Sequence, residues 1–176
     1  QVLDRKCSTE SIRNVFHKMK NRDYEISFDL IIGINVQRNL QDELKLLIEQ
    51  NPDHLSVYIL GLHQNHRLKS LLANELQVAQ EYLFVSDFLK DHGYNHYEVS
   101  NFAKPGKECL HNLKYWDREE YLGFGPSSHS FWKGERFANI SNVTPYIQNP
   151  INNLSFKETL TPREQELENL YLSLRT

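Results

Sequence analysis

ISFDLIIGI, residues 26–34, is the stretch on which the reading of this chain turns. It is short and almost continuously apolar, broken only by Asp29. Such a run fits a strand of a parallel sheet covered on both faces, since a half-exposed strand would alternate. The next segments repeat the theme. NLQDELKLLIEQ, residues 39–50, sets Leu40, Leu44, Leu47 and Ile48 on one helical face, and Asn51-Pro52-Asp53 closes the helix. HLSVYIL, residues 54–60, reads as a second apolar strand. A third helix is expected from Glu75 to His92, stopped by Gly93, and NHYEVS, residues 95–100, supplies a third strand. Helix and strand thus alternate three times, the pattern of βα units in a parallel sheet, and the fold class is α/β.

Upstream, Ser8-Thr9-Glu10-Ser11 offers N-cap chemistry for a helix with Ile12, Val15, Phe16 and Met19 at helical spacing, ending near Asn21. The chain opens on what reads as the middle of an α/β series and stops inside a periodic helix, at LSLRT. It is therefore expected to be the downstream part of a longer protein. Beyond Ser100 the alternation ceases. A short helix is expected near 117–121, a hairpin through Lys133-Gly134, and helices near 144–149 and 161–173. Thr161-Pro162-Arg163-Glu164 is a strong start signal for the last of these: a Thr cap, Pro in the first turn, and Glu three residues after the cap.

Composition narrows the function. The 176 residues carry a net charge of −3, which argues against nucleic acid as a partner because phosphate binding needs clustered Lys and Arg. With 39% hydrophobic and 11% aromatic residues the chain can build a core. No apolar run approaches the roughly 18 residues of a membrane span, and QVLDRKCSTES is no signal peptide. Cys7 and Cys109 read as free thiols of a cytoplasmic protein, and two cysteines cannot build a three- or four-cysteine metal site. Asn142-Val143-Thr144 fits the N-glycosylation acceptor pattern, but without a secretory signal the match is read as accidental.

The side chains able to carry chemistry concentrate between Tyr94 and Asn139, a Gly- and Pro-punctuated run with no clean period. His111-Asn112-x-x-Tyr115-Trp116 is its sharpest element: imidazole can ligate a metal, haem iron included, and the flanking rings can form an apolar wall with polar edges. Tyr115 and Trp116 serve equally well as core residues. His129 lies in GFGPSSHS, where Gly123 and Gly125 suggest a close backbone approach, although no dinucleotide fingerprint is present. Asp29, in an apolar strand, needs a partner or an exposed strand end, and a carboxylate there can accept hydrogen bonds from a ribose or an amino group. Glu98 can serve as a general acid/base or as a structural partner of Lys104, the structural role being preferred, and Arg5 is a weak candidate for binding an anion or a ribose.

These residues are recognisable. Asp29-Leu30-Ile31-Ile32-Gly33 resembles the DLIYGLP strand of the oxygen-independent coproporphyrinogen oxidase family. YEVSNFAKPG, residues 97–106, is similar to its YEISNFARPG motif, and YLGFGPSSHSF, residues 121–131, to its YLGxGxxAHSY pattern. HNLKYW, residues 111–116, resembles the HNxxYW element of the family's haem chaperone branch. The resemblance implies a radical SAM partial (β/α) barrel, of which residues 1–100 would be the C-terminal portion, and a mixed, mostly helical C-terminal region over 101–176. It implies S-adenosyl-L-methionine contacts at Arg5, Asp29 and Gly61, and a [4Fe-4S] cluster in the full-length family. Haem contacts are implied at His111, Asn112, Tyr115, Trp116 and His129, with His111 as the candidate iron contact. Haem, haem-accepting proteins, a homodimer and peripheral membrane association are the partners it implies.

The departures matter as much. The family's Cys-x3-Cys-x2-Cys motif is absent from these 176 residues, GLPGQT appears as GINVQR over 33–38, and His63 stands where a glutamate is usual. Cluster ligation needs cysteine thiolates, so this chain alone is not expected to perform radical chemistry. The expected function is haem binding and delivery. The rivals are a decarboxylating coproporphyrinogen oxidase and an inactive fragment.

Overall fold

The computed structural model describes residues 8–19 and 24–175. Arg5, Cys7 and the expected end of the first helix near Asn21 lie outside the described residues. The chain divides between Glu108 and Cys109 into two compact units.

In the first unit, helix α1 spans Thr9–Met19, strand β1 Ser27–Ile32 and helix α2 Leu40–Glu49. Strand β2 spans His54–Ile59, helix α3 Glu75–Asp91, strand β3 Asn95–Glu98 and strand β4 Asn101–Ala103. Asn39 and Asn74 cap α2 and α3 by accepting the N–H groups of Asp42 and Gln77. β1 and β2 pair in parallel, from Ser27 opposite His54 to Ile32 opposite Ile59. The sheet order is β1-β2-β4-β3, so it is mixed rather than all parallel. Only Val99 and Ser100 separate β3 from β4, and a connection that short joins antiparallel strands alone. β4 therefore takes the slot beside β2 that an all-parallel series would have given to β3.

The core lies on one face. Leu30, Ile32, Leu55, Val57 and Phe102 pack with Leu44, Val85, Leu89 and Tyr94. β1 alternates, with Leu30 and Ile32 buried and Asp29 exposed. This corrects the reading of 26–34 as a strand covered on both sides. The acid in the apolar run needs no buried partner, because its side chain is on the open face.

Two polar side chains, one on β2 and one on β3, are buried for a visible reason. His54 bridges Ser27 Oγ through Nδ1 and Tyr97 OH through Nε2, both at 2.8 Å. Glu98, also buried, accepts the N–H of Ser100 at 2.7 Å and closes the β3–β4 turn. Lys104, the expected partner of Glu98, instead reaches the Asn51 side-chain oxygen at 2.7 Å.

The second unit is mixed. Helix α4 spans Leu110–Trp116, strand β5 His129–Trp132 and strand β6 Glu135–Asn139. Helix α5 spans Val143–Gln148, strand β7 Leu154–Thr159 and helix α6 Pro162–Ser173. β5, β6 and β7 form a three-stranded antiparallel sheet in that order. The Lys133-Gly134 hairpin is present, with both residues at positive φ (51° and 75°), as a tight two-residue turn requires. The capping box of Thr161 and Glu164 starts α6, and Asn142 caps α5 by accepting the N–H of Thr144. The helix expected at 117–121 is displaced: α4 covers HNLKYW itself and ends before Arg118, whose φ is 54°.

Burial holds the His54 imidazole below its ordinary value of 6.5, outweighing the opposite pull of Asp29 and Glu98. The folded state thus prefers the neutral ring, and His54 contributes stability present in full above pH 6.5 and lost as pH falls through the depressed folded value. The stability advantage of the wild type over His54→Gln, read from denaturant midpoints, should shrink between about pH 7.5 and about pH 5.5.

Candidate functional site

HNLKYW is helical, so His111 and Tyr115, four residues apart, share one face of α4. Tyr115 OH lies 2.9 Å from His111 Nε2, and the two rings meet edge-on with centroids 5.0 Å apart. His111 is exposed on this helix, while Tyr115 and Trp116 are half-buried. The Tyr115 ring in turn meets Tyr121 edge-on at 4.6 Å. Tyr121 is anchored by backbone bonds with Phe131 in both directions, at 2.8 and 3.0 Å. Burial, then the neighbouring Tyr115, push the Tyr121 phenol up, against the pull of Arg136. Trp116 carries the Arg175 guanidinium over its ring at 4.0 Å. Asn112 is half-buried and donates its backbone N–H to Cys109 O at 2.9 Å.

Tyr115, Trp116 and Tyr121 line a pocket of about 190 Å³ whose floor is ionic. Arg118 Nε meets Glu168 Oε2 at 2.8 Å, Arg136 pairs with the same carboxylate, and Glu158 lies 3.7 Å from Arg136. Both guanidinium groups sit over the Phe131 ring, at 5.7 and 5.6 Å. Arg118, Glu168 and Glu158 gave no signal in the sequence. They are scattered along it, and only the fold of the second unit gathers them.

His129 is exposed at the start of β5, with its ring 6.4 Å from Phe156 of β7, and it is not part of this pocket. Gly123, close by, makes room for the chain's own backbone. A Cβ at Gly123 would lie 2.2 Å from the His129 carbonyl oxygen, and the Gly123 N–H donates to Ser130 Oγ at 3.0 Å. Gly125 takes Tyr146 OH on its N–H and Ser128 Oγ on its carbonyl, at 3.0 and 2.7 Å. The close approach read from GFGPSSHS is thus made at Gly123, to β5, whereas Gly125 has open space at its Cβ position and is a glycine by its φ of 104°.

In the first unit, Asp29 and Gly61 line one shallow pocket of about 290 Å³, with Ile31 and Tyr58. A larger apolar groove of about 570 Å³, between Ile59, Leu60, Leu72 and Val78, gave no signal in the sequence. Among the described residues no group of three or more His, Cys, Asp or Glu side chains could hold a metal ion, and Cys109 is the only described cysteine. The described residues do not fit a [4Fe-4S] cluster, which needs several thiolates. No helix among the described residues is long and apolar enough to cross a membrane.

No family model matches the chain. The fold is similar to that of coproporphyrinogen III oxidase (HemN) from Escherichia coli, a radical SAM enzyme, with a TM-score of 0.81 and 21% identity. That likeness covers 98% of this chain and 45% of the enzyme. Among curated proteins, the heme chaperone HemW of Lactococcus lactis is 33% identical over 90% of this chain, and that of Bacillus subtilis 34% identical over 91%. The Synechocystis protein of the same name is 31% identical over 85%. The chain spans 45%, 46% and 40% of these three relatives, less than half of each. The chain thus shares its fold class with that radical SAM enzyme, matching a part of it. Within that class, the chain belongs to the family of the heme chaperone HemW.

Adding a methyl group at Gly123 forces β5 to move away from it. Gly123→Ala should destabilise the protein by roughly 1–3 kcal/mol, the usual cost of overpacking, measured by urea denaturation.

Proposed function

We propose that this chain is a haem-handling part of a haem chaperone, binding haem and passing it to haem-requiring proteins. The observation that carries this reading is the exposed His111 on the HNLKYW helix of a chain whose curated relatives are named heme chaperones. Haem here is cargo. A neutral imidazole can ligate the iron. Tyr115 and Trp116 offer ring surface beside it, and Asn112 supplies a polar neighbour on the same helix. An exposed single ligand suits a protein that must release what it binds, because an acceptor can approach the iron from the solvent side. His129, on β5, is the second candidate contact.

Asp29 and Gly61 would hold S-adenosyl-L-methionine in the pocket they share, the carboxylate accepting hydrogen bonds from ribose or amino groups. In the wider class that molecule and a [4Fe-4S] cluster supply radical chemistry. Haem-accepting proteins, a homodimer, a cytoplasmic site of action and peripheral membrane contact belong to the same reading.

Titration of the 176-residue chain with haem should give a saturable Soret shift. His111→Ala should weaken binding by at least about tenfold, equivalent to ~1.4 kcal/mol, whereas His129→Ala should change it less. No shift in the wild type would sink the haem proposal. An undiminished shift in His111→Ala would remove His111 from it.

A further inference from the structure

We propose that Tyr115 is a positioning residue that clasps His111 Nε2, so that haem iron must displace the phenol to reach the nitrogen. The inference rests on the reading of His111 as the iron ligand. Its geometry is local and complete. His111 and Tyr115 are four residues apart on α4, the phenol oxygen is 2.9 Å from Nε2, and the rings are edge-on. The clasp does not swing freely. The Tyr115 ring is held edge-on against Tyr121, which is itself tied to Phe131 by two backbone hydrogen bonds.

Nε2 is the imidazole nitrogen farther from the backbone, so it presents a planar macrocycle with the fewest clashes against α4. Nδ1 would bring that plane against the helix. The preferred ligand atom is therefore the one the phenol already holds. With the O–H of Tyr115 donating into the Nε2 lone pair, the ring proton resides on Nδ1, the tautomer that iron ligation through Nε2 also needs. Binding exchanges an O–H···N bond for a coordinate N–Fe bond. The phenol keeps its proton, and no electron is transferred. The same hydrogen bond re-forms when haem leaves, so Tyr115 lowers affinity while preserving the competent tautomer, and it favours hand-over to an acceptor.

The test compares haem titrations of the wild type, Tyr115→Phe, His111→Ala and the double variant, using the full 176-residue chain. Tyr115→Phe should bind haem roughly two- to tenfold tighter, with the wild-type Soret position, and the gain should vanish in the double variant. Independently of haem, 15N spectra of the His111 ring should show the Nδ1–H tautomer in the wild type and a mixed population in Tyr115→Phe. Unchanged affinity in Tyr115→Phe, with loss in His111→Ala, would overturn the clasp and leave the ligand reading standing. Binding lost in Tyr115→Phe but kept in His111→Ala would make the tyrosine itself the iron ligand and overturn both. Binding unchanged in His111→Ala would defeat the ligand reading, and a wild-type spectrum with the proton on Nε2 would defeat the clasp alone.

Discussion

Leu30 and Ile32 of β1, Leu55 and Val57 of β2, and Phe102 of β4 project from one face of the first sheet. Their burial against Leu44 of α2 and Val85 and Leu89 of α3 is the interaction on which the first unit depends. Each such side chain contributes about 1.5–3 kcal/mol when fully removed from water. The alternation of a strand then settles what the other face carries. Ser27 and Asp29 point away from the helices, and the buried His54 is satisfied between Ser27 and Tyr97. The same periodicity that builds the core leaves the Asp29 carboxylate free to line a pocket with Gly61.

The second unit works by a different device. Its sheet has few fully buried residues, and the ends of its elements are fixed by polar contacts instead. Glu168 of α6 gathers Arg118 and Arg136, both of which lie over Phe131. This cluster backs the Tyr121–Tyr115 pair and so supports the helix that carries His111. Ion pairs between half-buried groups are individually modest, but here they share partners, so each ordered side chain serves more than one contact.

Long, strongly periodic or strongly capped segments could be read from the residues alone. α2, α3 and α6 lie where the apolar spacing and the caps placed them, and the Lys133-Gly134 turn was legible from its glycine. What could not be read depended on pairing. β4 is only three residues long, NFA, and its insertion between β2 and β3 depends on a two-residue turn that no hydrophobic period reveals. Six residues of β7, mostly exposed, carry no burial signal. The short helix was expected later in the chain, near 117–121, because HNLKYW reads as a ligand-rich loop, whereas the i, i+4 spacing of His111 and Tyr115 is itself a helical signal. For the candidate site, the motif residues were visible and their mutual hydrogen bond was not. Asp29 and Gly61 stand 32 positions apart with no shared period, and the fold brings them to one pocket.

The most direct test of haem ligation by His111 is resonance Raman spectroscopy of the ferrous haem complex. Ligation through this imidazole predicts an iron–imidazole stretching band in the wild type that disappears in His111→Ala. A band that persists in His111→Ala, or an iron–phenolate signature in the ferric complex, would contradict it.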